Sequence, residues 1–175
     1  LELKNVDYND DYGLVFKYPI NIKTKNKNAK FVITPVVGAY EVKSDSQDNY
    51  FKITSGVKAS YNLSTSRNWK VNADFQAMNN FTADFSSNNS NVFYTSLDAN
   101  AYRISQKGNK LEFTVDGGYV NAPNVKVSYL QGGAGYTSGN LSFKAEAGVS
   151  NLKIADTKCH NFIAGFRAIF KFDAS

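Results

Sequence analysis

The chain has 175 residues, of which 42% are hydrophobic and 14% aromatic, and its formal net charge is +5. Its apolar residues never form the run of about 20 that a transmembrane helix needs, so any crossing of a membrane must use strands. The lysines behind the positive charge are scattered through alternating segments. They indicate a solvated face and not a nucleic-acid-binding surface, which has a basic cluster with interleaved aromatics.

Alternation of apolar and polar residues with a period of two recurs from Leu14 to Phe172, and it predicts a β-meander. A length of this order normally forms one domain, so residues 1–175 are expected to fold as a single unit. The first runs cover residues 14–22 and 31–39, separated by a turn at 25–28. Pro35 removes a ladder donor from the second run. The segment Leu1–Asn5 is interpreted as the end of a further strand.

Four runs with clearer alternation follow between residues 51 and 119, separated by turns at 64–68 and 106–109 and by a polar loop at Asn79–Asn91. Phe81, Ala83 and Phe85 within that loop are able to extend the flanking strands. One face of each run is apolar, and its members are Phe51, Ile53, Val57, Ala59, Tyr61 and Leu63; Trp69, Val71, Ala73, Phe75 and Ala77; Phe93, Thr95, Leu97, Ala99 and Ala101; and Leu111, Phe113, Val115, Gly117 and Tyr119.

The last third of the chain holds three more runs. In Val125–Tyr136 the apolar residues change face part-way, and a bulge near Gly132 and Gly133 is expected to reconcile them. The runs Leu141–Val149 and Phe162–Phe172 alternate cleanly, with Leu152–His160 interpreted as a loop between them. These nine runs and the segment at Leu1–Asn5 predict ten strands, with eight or twelve as alternatives.

Strand length and side-chain size distinguish a membrane barrel from a soluble β-sandwich, which gives the same alternation. The runs are about 10 to 13 residues long, as tilted membrane strands are, whereas soluble strands average about 5 to 6. The apolar stripe is also rich in alanine, which lipid tails accommodate but a close-packed core does not. We therefore predict an all-β fold, an antiparallel up-and-down transmembrane β-barrel. The aromatics expected to form its interfacial girdle are Tyr61, Trp69, Tyr119, Phe170 and Phe172.

The polar face of the runs carries charges of both signs that are expected to face the lumen of the barrel. The charged residues predicted to face the lumen include Lys52, Lys58, Lys70, Asp74, Glu112, Asp116, Lys144, Glu146 and Arg167. We expect Lys58, Lys70 and Lys144 to pair with Asp74, Asp116 and Glu146 inside a narrow lumen. In a soluble sandwich the same side chains would face solvent.

Catalytic chemistry is not indicated. His160 is the only histidine and lies in a predicted loop without the partner that a general base needs. The adjacent Cys159, the only cysteine, does not complete a metal site with it. Gly132, Gly133 and Gly135 are not followed by the Gly-Lys-Ser/Thr of a phosphate-binding loop. The sequence predicts a protein without enzymatic activity, cofactor or metal.

The final run, Phe162–Phe172, resembles the C-terminal signal by which bacterial outer-membrane proteins are recognised for assembly, because hydrophobics alternate and an aromatic ends the strand. Arg167 stands where the usual pattern has glycine, and Asp173, Ala174 and Ser175 follow the aromatic. If this end lies in the periplasm, the turns at 64–68, 105–110 and 137–140 are the short periplasmic ones, and Asn79–Asn91 and Leu152–His160 are external.

The segments Phe31–Ala77 and Val125–Phe172 are similar to the C-terminal part of an autotransporter translocator barrel. The similarity is carried by the strand Thr34–Tyr40, by Gly56-Val57-Lys58, and by Trp69–Ala77 after a short turn. It implies an outer-membrane location, with the lipid bilayer, lipopolysaccharide and the outer-membrane assembly machinery as partners, and the export of a passenger that precedes Leu1. The alternatives are a self-standing small outer-membrane protein, as a narrow pore, an adhesin or a structural protein, and a soluble β-sandwich binding module.

Overall fold

The structure, a computed structural model, describes residues 2–3, 12–44, 47–84 and 90–170. Strands and the turns between them account for almost all of these residues. The strands are β1 Glu2–Leu3, β2 Tyr12–Lys17, β3 Ile20–Ile22, β4 Ala29–Ser44, β5 Gln47–Ser64, β6 Trp69–Asp84, β7 Ser90–Ile104, β8 Lys110–Ala122, β9 Val125–Ser138, β10 Leu141–Ile154 and β11 Thr157–Phe170. Within these residues no helix has the length and apolarity to cross a membrane.

All eleven strands belong to one antiparallel sheet in which chain neighbours are sheet neighbours. Strands β2 and β3 both pair with β4, so they are two halves of one strand that is interrupted at Tyr18 and Pro19. Proline has no N–H to donate to the ladder, which explains the interruption. The predicted partial strand at Leu1–Asn5 is present as β1, whose Leu3 lies opposite Leu14. The prediction of an all-β, up-and-down sheet with a ten-strand path is therefore confirmed.

The sheet is open within the described residues, because β11 is hydrogen-bonded to β10 alone and β1 to β2 alone. The closed barrel expected from the sequence is thus not present in this part of the chain. The two edge strands differ in length. Strand β1 has two described residues, whereas β11 has 14. The backbones of the described strands lie close only to those of their hydrogen-bonded neighbours, so the strands form a single layer without the second packed sheet of a sandwich.

The register divides the side chains between two faces. The polar face carries Lys58 and Asp74, and the apolar face carries Ala59 and Phe75. Burial runs opposite to the pattern of a soluble sheet, because the buried apolar side chains, Val15, Val36 and Met78, all lie on the polar face. Most of the exposed large hydrophobics lie on the apolar face; they include Leu14, Phe16, Val37, Ile53, Phe75, Leu97, Phe113, Val115, Leu130, Val149, Phe162 and Phe166.

Strand β9 corrects the predicted bulge. It pairs with both β8 and β10 without a register shift, so the bulge expected near Gly132 and Gly133 is wrong. Leu130, Ala134 and Tyr136 lie on the apolar face, and Val127 and Tyr129 lie on the polar face. Val127 sits between Val120 and Leu152 in the register, and these apolar neighbours explain why a hydrophobic residue occupies the polar face there.

The predicted loop Leu152–His160 is also wrong. Strand β10 continues to Ile154 and β11 begins at Thr157, so the two strands are joined by Ala155 and Asp156 alone. Cross-strand pairing persists because Ala155 adopts the left-handed conformation, at φ 49°, that such a tight turn uses. The predicted loop Asn79–Asn91 is shorter than expected, since β6 reaches Asp84 and β7 begins at Ser90. Phe85 lies outside the described residues.

Candidate functional site

The charged residues predicted to face a lumen all share the polar face. The register places there Lys52, Lys58, Lys70, Asp74, Glu112, Asp116, Lys144, Glu146 and Arg167. They come from five strands, between β5 and β11, so they line a surface and not a compact site.

The ion pairs that the described structure shows on this face join residues of the same strand. The Lys144 ammonium lies 2.5 Å from the Glu146 carboxylate, which confirms that part of the predicted pairing. A second pair joins Lys110 to Glu112 at 2.9 Å, which the sequence does not predict because its alternation places Lys110 in a turn. Residues two apart on a strand share a face. A lysine two residues before a glutamate is therefore the sequence feature that identifies both ion pairs.

Lys58 and Lys70 do not form the predicted ion pairs with Asp74 or Asp116 in the described structure. Lys70 is the register partner of Tyr102, and its ammonium lies 5.9 Å from the centre of that ring. Lys110 approaches the same ring to 5.0 Å. A cation over an aromatic face is stabilised by the ring quadrupole, which accounts for the position of Lys70.

Three carboxylates form a row at the middle of the polar face. Asp74 is opposite Asp98, and Asp98 is opposite Asp116. Asp116 accepts a hydrogen bond of 3.3 Å from the Tyr129 hydroxyl. A depression of about 500 Å³ adjoins the row and is lined by Asp74, Asp98, Lys58 and neighbouring hydroxyl and amide side chains. Like charges on opposed residues repel each other, so this is the electronegative part of the face.

An apolar cluster occupies another part of the polar face. Val15, Val36 and Met78 are 4%, 3% and 4% exposed, with Tyr40 and Tyr94 packed against them. Gly56 lies between Val36 and Met78 in the register, and its lack of a side chain gives Met78 room. The cluster was not predicted, because its members are spread over strands whose alternation assigns them to the polar side.

Aromatic rings on the apolar face contact each other, and no second layer of the described residues covers them. Trp69 stacks on Phe113 with ring centres 6.1 Å apart, and Phe143 stacks on Phe166 at the same separation. Of the predicted girdle residues, the register places Tyr61, Trp69, Tyr119 and Phe170 on this face. Phe172 lies outside the described residues.

The apolar stripe crosses the sheet obliquely. Its middle is at Ala145 in β10, where it runs from Leu141 to Val149. In β5 it runs from Phe51 to Leu63, with Val57 in the middle. From Ala145, the residues directly opposite in successive strands are Ala134, Phe113, Ala101, Val71 and, in β5, Leu63. Leu63 is six residues from Val57, the middle of the stripe in β5. The stripe therefore shifts by six residues over five strand steps.

His160 and Cys159 are placed on opposite faces of β11, since adjacent strand residues point to opposite sides. His160 Nδ1 lies 2.5 Å from Asn151 Oδ1, while the Cys159 thiol lies 3.6 Å from Asn161 Oδ1. The described residues contain no group of three His, Cys, Asp or Glu side chains placed to hold a metal ion. The two residues therefore do not act on a common ligand.

No known protein family, curated protein or solved structure matches this chain. Its function is accordingly inferred from the two faces of its own sheet.

Proposed function

We propose that this chain forms a membrane-spanning β-barrel of the bacterial outer-membrane type, with the apolar face against lipid and the polar face around the lumen. The observation that carries the proposal is the uncovered apolar face. Leu130 and Val149, in strands that are paired on both sides, are 55% and 49% exposed, and the described residues provide no layer over them. Apolar area on this scale is stable in contact with hydrocarbon and is an aggregation hazard in water.

The oblique stripe supports the same proposal quantitatively. Six residues along the strands are about 20 Å, and five strand spacings are about 24 Å, so the stripe makes an angle of about 40° with the row of register partners. An apolar band parallel to a membrane has this slope when the strands tilt by about 40° from the membrane normal. Strands of membrane barrels tilt by about 35 to 45°.

A barrel of ten strands with this tilt has a narrow lumen. The circumference is about 63 Å and the diameter, between backbones, about 20 Å. Side chains from opposite walls fill most of such a space, and the cluster of Val36, Met78 and Tyr94 adds apolar bulk on the lumen side. These dimensions favour an anchor with little or no ion conduction over an open pore.

As the function of this barrel we propose the anchoring and export of a passenger encoded upstream of Leu1, which the resemblance to autotransporter translocators implies. A self-standing outer-membrane protein is the second candidate, and the apolar cluster on the lumen side favours its plugged form. The reading frame upstream separates the two. A signal peptide directly before Leu1 contradicts the passenger, and a long exported region supports it.

Membrane insertion is tested by labelling two adjacent residues of β7 in a Cys159→Ser background. Leu97 lies on the apolar face and Ser96 on the polar face, at nearly the same depth. Each is replaced by cysteine, coupled to an environment-sensitive fluorophore, and refolded into vesicles that contain brominated lipid. We expect strong quenching at Leu97→Cys and weak quenching at Ser96→Cys, together with heat-modifiable gel mobility. Equal quenching at both positions, or a protein that stays soluble without detergent, contradicts the proposal.

A further inference from the structure

We propose that three lysines on the outer side of β9, β10 and β11 bind the phosphate group of an anionic membrane lipid. Lys126 is opposite Lys153, and Lys153 is opposite Lys158, so the three ammonium groups belong to one row of register partners. All three side chains are exposed and share the face that carries the apolar stripe. The inference rests on the proposed membrane barrel.

A shallow depression lies against the row. It has a volume of about 120 Å³ and is lined by all three lysines together with Tyr119, Asn151 and His160. Opposed like charges in neighbouring strands repel each other unless an anion lies between them. A phosphate offers several acceptor oxygens to such a group of ammonium donors, and it relieves the repulsion when bound.

A hydrogen-bonded chain of polar side chains forms the edge of the depression that is nearer the apolar stripe. Asn151 Nδ2 donates to Ser128 Oγ at 3.4 Å, and His160 Nδ1 is 2.5 Å from Asn151 Oδ1. Since Nδ1 is engaged with Asn151, Nε2 is the ring atom of His160 left to contact a ligand. These groups separate the lysine row from the apolar residues Leu130, Val149 and Phe162 one row further along.

The depth of the row matches the lipid headgroups. Lys153 is eight residues from Ala145, the middle of the stripe in β10. With a rise of about 3.3 Å per residue and a tilt of about 40°, it lies about 20 Å from the bilayer centre. The hydrocarbon ends about 15 Å from the centre and the headgroup region extends to about 20 to 22 Å. The ammonium groups therefore lie at the level of lipid phosphates.

The acidic group nearest to the row does not neutralise it. Asp156, in the turn between β10 and β11, shares a second depression of about 330 Å³ with Lys126 and Lys153. It forms no ion pair with either lysine in the described part of the chain. No carboxylate of the described residues is thus paired with the row, and the adjoining apolar face selects a phosphate that carries acyl chains over one that is free in solution.

The test compares two triple variants of the refolded barrel in neutral detergent micelles. In the first, Lys126, Lys153 and Lys158 become Gln; in the control, the polar-face lysines Lys52, Lys58 and Lys70 become Gln, which changes the net charge equally. Retention of phosphatidic acid and of phosphatidylcholine is measured by native mass spectrometry, with glycerol phosphate as the soluble competitor. Folding of each variant is checked by heat-modifiable mobility, and the single variant Lys153→Gln provides a milder perturbation.

We expect the wild-type barrel and the control to retain phosphatidic acid at least about tenfold more tightly than phosphatidylcholine, because each lysine near an anionic membrane surface contributes roughly fivefold in affinity. The Lys126/Lys153/Lys158 variant should lose this preference, and Lys153→Gln should weaken it. Equal retention by the two triple variants, or competition by glycerol phosphate at the concentration of the lipid, overturns the inference. Failure of the wild-type chain to insert into vesicles contradicts the proposed function itself, whereas insertion without a lysine-dependent preference contradicts the lipid site alone.

Discussion

Gly56 shows how a single position decides the packing of the polar face. A Cβ built at this residue would overlap the Ala77 carbonyl oxygen and lie 2.6 Å from Met78 Sδ. The absence of a side chain lets Val36 in β4 and Met78 in β6 approach each other across β5. The buried cluster of the polar face therefore depends on a residue that contributes no apolar surface of its own.

Replacement of Gly56 by Ala is expected to destabilise the folded protein by about 2 kcal/mol, because the methyl group meets backbone that cannot move freely. The free energy of unfolding is measured by urea titration in detergent micelles, followed by the fluorescence of Trp69. Gly165→Ala is the control, since a Cβ at Gly165 meets nothing within 4 Å in the described structure. It should leave stability unchanged or raise it slightly. Equal losses for both variants would show that overlap at Gly56 is not the cause of the loss.

The hairpins are joined by tight turns at which residues other than glycine adopt positive φ. Ala155, at φ 49°, connects β10 to β11, and Asn124, at φ 64°, connects β8 to β9. The Ala155 N–H donates to the Asn124 carbonyl at 2.8 Å, so the two turns are also linked to each other. Alanine pays a steric penalty in this conformation that asparagine largely avoids.

Ala155→Gly is expected to stabilise the protein by about 0.5 to 1 kcal/mol, because relief of the left-handed penalty exceeds the flexibility that glycine adds to the unfolded chain. Asn124→Gly is the matched control and should give no gain. The free energy of unfolding of both variants is measured by urea titration in detergent micelles, followed by the fluorescence of Trp69. A loss of stability in Ala155→Gly would mean that the turn relaxes to a negative φ.

The sequence predicted elements well where alternation is strict and poorly where it is not. Residues 69–77 alternate without exception, and their faces agree with the structure. The sequence predicts a bulge in β9 because Val127 and Tyr129 are apolar residues on the polar face, and a period-two pattern does not anticipate apolar residues there. The turn at Ala155 was missed since it lacks the glycine that usually marks a left-handed position. Of the site, the charged residues of the polar face were predicted, but the lysine row was not, because only the register aligns Lys126, Lys153 and Lys158.

At the scale of the whole molecule, the single sheet has two edges and one uncovered apolar face. The edges need hydrogen-bond partners, and the face needs an apolar environment. The edge of β11 requires a strand, and ladder hydrogen bonds along its 14 residues would satisfy it. The apolar face requires hydrocarbon or another apolar surface. Closure into a barrel removes the edges without covering this face, and lipid then covers it. A membrane barrel satisfies both requirements of this chain.

A single charged substitution near the centre of the apolar face tests whether this face lies in hydrocarbon. Ala99 lies on the apolar face of β7 in the middle part of the stripe, and Ser96 lies on the polar face of the same strand. An arginine on the lipid side near the bilayer midplane costs about 2 to 4 kcal/mol in a membrane barrel, whereas an arginine at Ser96 enters the polar depression of about 500 Å³ that this residue lines. We expect Ala99→Arg to lower the free energy of unfolding in lipid vesicles by about 2 to 4 kcal/mol. Ser96→Arg should cost much less, because it adds a cation beside Asp74 and Asp98. If Ala99→Arg is as stable as the wild type in vesicles, the apolar face is not in hydrocarbon and the membrane barrel is refuted.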